Sequence, residues 1–79
     1  MSMHRIRFRG PAGRAMEVAT ALADADGVEL TSSEPPHALD HGAVELVVTV
    51  EGARHLVVAA VAGIDDELPE GASIEITSD

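Results

Sequence analysis

His4-Arg5-Ile6-Arg7-Phe8-Arg9, followed by Gly10-Pro11, is the stretch from which the fold can be read. Successive side chains of a strand point to opposite faces, so Ile6 and Phe8 share one face and the three arginines share the other. Gly10-Pro11 ends the strand, and proline in a first helical turn loses nothing by lacking an N–H. The helix that follows over 11–26 gives way at Gly27 to a second short strand over 28–31. The same order of strand, helix and strand returns over 44–51, 53–68 and 73–77. Two such units predict an α+β, βαββαβ two-layer sandwich. Its antiparallel four-stranded sheet has the order 4-1-3-2, with two helices on one face.

The 79 residues support a single domain spanning 1–79 and a small core. Absence of cysteine excludes disulfides and thiolate metal sites as compensation. Met1-Ser2-Met3-His4 runs straight into a strand with no secretory pattern, and the apolar run over 56–64 is far below membrane-spanning length, so a cytoplasmic setting and no membrane are expected. The net charge is −9, and the five basic residues are all arginines. Such a chain lacks the surface that neutralises phosphates, and its one aromatic residue, Phe8, leaves nothing on which bases could stack. No nucleic-acid partner is expected.

Helix one places Ala15, Val18, Ala19 and Leu22 along one stripe, opposite Arg14, Glu17 and Asp24. The stretch 32–42, with Pro35-Pro36 at its middle, reads as the loop between the second and third strands. Val44, Leu46, Val48 and Val50 turn inward from the third strand, while Glu45, Val47, Thr49 and Glu51 turn outward. Helix two differs from helix one, because Leu56 to Ile64 is apolar all the way round. Ile74 and Ile76 turn inward from the last strand.

Four places offer themselves for function. The open sheet face carries Arg5, Arg7 and Arg9 between Glu45 and Glu51 on one side and Glu75 on the other, with Val47 among them. This is either charge pairing that keeps the face solvated or a surface for a partner. Helix two has more apolar surface than one sheet face can cover, so Val57, Val58 and Val61 become contact candidates for a protein partner or a homodimer. If one helical turn follows Pro36, His37 and His41 fall on one side with Asp40 beside them; too few further ligands converge, and no metal is expected. Finally, Gly10, Gly13 and Arg14 at the start of helix one could hold a carboxylate or phosphate. No cofactor is implied. With no cysteine, lysine or tyrosine and no serine in a nucleophile turn, the reading is that the chain is not an enzyme.

The helix-one stretch running into Gly27-Val28-Glu29-Leu30, the proline-containing loop before Gly42-Ala43-Val44-Glu45, and the second apolar helix together resemble the effector-associated constant component domains of high-GC bacteria. That resemblance implies a ferredoxin-like adaptor in conflict or signalling systems built around proteases, caspase-like enzymes or NTPases. Gly10-Pro11-Ala12-Gly13 through Ala21-Leu22-Ala23 to Gly27-Val28 also resembles the ACT-type regulatory domain. This second likeness implies amino-acid sensing at Gly10, Gly13 and Arg14. Acylphosphatases share the expected fold, but the chain contains no asparagine to match their catalytic one.

Overall fold

The structure is a computed structural model and describes residues 2–78. The alternating first strand, β1, covers Ser2–Pro11, and Pro11 is both its last residue and the cap of helix α1, Ala12–Asp24. Gly10 and Pro11 belong to the ladder, paired with Val44 and Ala43, so the strand runs two residues past the expected end at Arg9 and stops at Pro11. Next come β2, Val28–Ser33; β3, His37–Ala38; a single 3₁₀ turn, Asp40–Gly42; β4, Ala43–Gly52; α2, Arg54–Asp66; and β5, Ser73–Ser78.

Among the described residues the expected four-stranded sheet is thus a five-stranded antiparallel one, ordered β2-β4-β1-β5 with β3 also paired to β4. The added strand lies in the stretch expected to be a loop. Residues before proline are pushed toward extended backbone, and the chain on either side of Pro35-Pro36 stays beside β4. Ser33 pairs with Val48, Glu34 N–H donates to Val47 O at 2.9 Å, and His37 and Ala38 pair with Glu45 and Val44. β2 and β3 are two pieces of one interrupted edge.

Both helices pack on the face to which Ile6, Phe8, Leu46, Val48, Val50 and Ile74 point. Ala15, Val18 and Leu22 close the core from α1 and Val57 and Val61 from α2, while Leu30 and Ile76 are partly buried against it. His4 has the same parity as Ile6 and is likewise buried, its Nε2 3.3 Å from Gly52 O. Among the described residues no helix is long and apolar enough to cross a membrane.

One corner depends on two glycines. Gly27 adopts φ +75° at the end of α1, and a side chain on Gly52 would stand 2.5 Å from Gly27 O. A Cβ on Gly27 would itself meet Leu56 at 2.4 Å, so β4, the α1–β2 turn and α2 converge where only hydrogens fit.

Phe8 is 1% exposed, and Phe8→Ala should cost about 3–5 kcal/mol in a urea melt, most of what a domain of this size has. Gly52→Ala should cost about 1–3 kcal/mol by overpacking against backbone that has nowhere to move.

Candidate functional site

The face of the sheet away from the helices has no element over it among the described residues. It is built from the odd-numbered residues of β1 and their register partners. Arg9 lies between Glu45 and Ser73, Arg7 between Val47 and Glu75, and Arg5 between Thr49 and Ser78. Arg9 Nε donates to Glu45 Oε2 at 2.6 Å, and Arg7 donates to Glu75 Oε1 through Nε at 3.0 Å and also through its terminal nitrogen. The hydrogen bond to Glu75, and then that carboxylate's charge, raise the Arg7 guanidinium above its ordinary pKa. Arg5 forms no ion pair with a described residue.

Glu51 does not join this pairing, contrary to the position expected for it between strands. The register sets it opposite Met3 on one side and opposite Glu29 on the other. Two carboxylates therefore face each other across β2 and β4 at the end of the sheet where the arginine row stops. Val47, half-buried, is the apolar centre of this otherwise polar face.

The candidates on α2 are divided by the fold. Val57 and Val61 point into the core, at 0% and 9% exposure, which corrects the expectation that they lie open to a partner. The sheet covers one side of α2, and these two valines are on it. Val58 remains exposed at 44%, flanked by exposed Ala59 and Ala62.

At the start of α1 the three candidates also separate. Gly10 is buried, and the space a side chain would take is occupied by Phe8 and Ala72, each 2.8 Å from the position of its missing Cβ. Gly13 and Arg14 are exposed, the first turn has no side-chain cap, and Arg14 lies 3.7 Å from Glu17. The helical turn that would align His37 with His41 does not form, because His37 belongs to β3 while His41 takes a left-handed φ of 63° in the 3₁₀ turn. Among the described residues no group of three or more acidic or histidine side chains converges to hold a metal.

Two features escape the sequence reading. Met16 is 78% exposed and borders a shallow recess of about 260 Å³, which is lined with Ala12, Ala15, Ala19, Ser33, Pro36 and Leu46. Its position off the Ala15–Val18–Leu22 stripe was the available signal. The burial of His4 was equally available from its parity with Ile6. Set beside known proteins, the chain matches no protein-family model, and no curated protein matches it either.

Both ion pairs on the open face are exposed to solvent, so they contribute little to stability. Glu45→Gln should lower the free energy of unfolding by at most about 1 kcal/mol in 0.1 M salt, and by less in 1 M salt, where the pair is screened.

Proposed function

We propose that this chain is a non-catalytic protein-interaction module of ferredoxin-like βαββαβ architecture. It acts in the cytoplasm as an adaptor that self-associates or docks onto a larger effector, in the manner its likeness to effector-associated constant component domains implies. The single observation that carries this reading is the uncovered sheet face. Two-layer domains bury one side of their sheet under helices, and here the other side presents an ordered row of arginines around Val47. Arg7 and Arg9 are held in place by Glu75 and Glu45, which fixes the geometry of the row. Arg5, with no ion pair to a described residue, is the position from which an acidic group on a partner gains most.

An ACT-type reading, with amino-acid binding at Gly13 and Arg14, has the uncapped first turn of α1 in its favour. It has less support than the interaction reading, because Gly10 is taken up by core packing and Arg14 already has Glu17 beside it. Isothermal titration with amino acids separates the two: the adaptor reading expects no heat of binding.

Affinity capture from the cells that express the chain should return one protein in near-stoichiometric amount. Arg5→Glu combined with Arg7→Glu should weaken that capture roughly tenfold or more by reversing the charge of the row. Equal recovery by the wild type and the double variant would rule out the arginine face.

A further inference from the structure

The two edges of the sheet are unlike. On one side β2 and β3 are separated by Pro35-Pro36, so the row of outward backbone groups is interrupted by residues that cannot donate. On the other side β5 reads Ser73-Ile74-Glu75-Ile76-Thr77-Ser78, six residues without proline, lysine or arginine, paired to β1 alone. The proline break that guards the first edge is missing from the second, whose ladder with β1 is irregular only at Thr77, where the register shifts between Ile76 and Ser78. An open edge of this length is a template for another strand.

The same side of the molecule carries the exposed flank of α2. This helix packs chiefly on β5, while α1 packs on β1, β2 and β4. Leu56 reaches Gly27, and Ile64 and Leu68 border Arg14, Glu17 and Val18 of α1, so that flank of α2 faces α1. At 100° per residue the opposite flank holds residues 54, 58, 62 and 65, which are Arg54, Val58, Ala62 and Asp65, all exposed. This flank lies on the side of α2 away from α1.

We propose that β5 is the seam of a homodimer, in which a second copy pairs antiparallel along this edge and the two α2 flanks meet above it. The proposal rests on the interaction reading, and it names the partner as the chain itself on a surface other than the arginine face. The occupant follows from complementarity. A two-fold axis normal to the sheet sets the two α2 helices antiparallel, and centred near residue 60 it places Val58 against Ala62 of the partner subunit. The same axis brings Arg54 toward the partner's Asp65, opposite in charge, at both ends of the contact. With paired strands about 4.8 Å apart, helices that sit between β5 and β1 on each copy stand about 10 Å apart, close to the 8–10 Å at which helices pack.

The register also follows. Opposed residues in an antiparallel pair share a face. Centring on Glu75 would set two carboxylates against each other. Centring on Ile76 sets Ile76 against the partner's Ile76 on the helix side, and Glu75 against the partner's Thr77, the residue where the register with β1 shifts and whose hydroxyl donates to Arg5 O.

Sedimentation velocity and an NMR dilution series on the intact chain test this. A dimer is expected, with amide shifts on dilution concentrated in residues 73–78 and on the α2 flank. Thr77→Lys should tighten it and Thr77→Glu weaken it, each by roughly three- to tenfold, because each substitution acts twice across the axis opposite Glu75. Val58→Glu, at an exposed position that leaves the circular dichroism spectrum unchanged, should abolish it, and Arg9→Glu should leave it intact. A monomer at about millimolar concentration overturns the proposal, as do Thr77→Lys and Thr77→Glu acting in the same direction. Dissociation by Arg9→Glu but not by Val58→Glu also overturns it, while leaving the interaction reading standing.

Discussion

Everything in this domain hangs on β1 and the division of labour between its two faces. It lies between β4 and β5 in the sheet, and its even-numbered residues from His4 to Gly10 are all buried. Its odd-numbered residues supply the arginine row. A shift of one residue would exchange the two sets, placing guanidinium groups in the core and Ile6 and Phe8 in water. The cost of burying one unpaired charge exceeds the whole stability of a small domain, so core and open face are fixed together by one register.

The magnitudes separate what holds the fold from what the surface is free to do. Fully burying one large apolar side chain gains about 1.5–3 kcal/mol, and among the described residues the core contains twelve buried apolar ones. Exposed cross-strand ion pairs contribute a fraction of that. The arginine row therefore contributes little to holding the fold together. Small residues complete the frame from the opposite direction. Gly52 and Gly27 allow backbone to touch backbone, and Gly10 admits the Phe8 ring, so the narrow places of the molecule are filled by its own neighbours.

The two unlike edges and the unlike flanks of α2 give the molecule a direction. One end is closed by the β2–β3 edge and by Leu56 against Gly27, and the other is left with an uninterrupted strand beneath Val58 and Ala62.

Local patterns were legible without the fold. Alternation at period two fixed which face Ile6, Phe8, Leu46, Val48 and Val50 would bury, and spacings of three and four fixed Ala15, Val18 and Leu22, because these periods are properties of the backbone itself. The same parity would have revealed His4. What only the tertiary structure decided depends on residues distant in sequence. Val57 and Val58 are the same side chain one position apart, and they differ because the sheet beneath α2 covers one and leaves the other exposed. Residues 37–38 become a strand because the edge of β4 offers hydrogen bonds to an extended chain, a fact absent from the local sequence. Glu51 meets Glu29 in place of an arginine because cross-strand neighbours follow from register, and register is set by how whole strands bury their faces together.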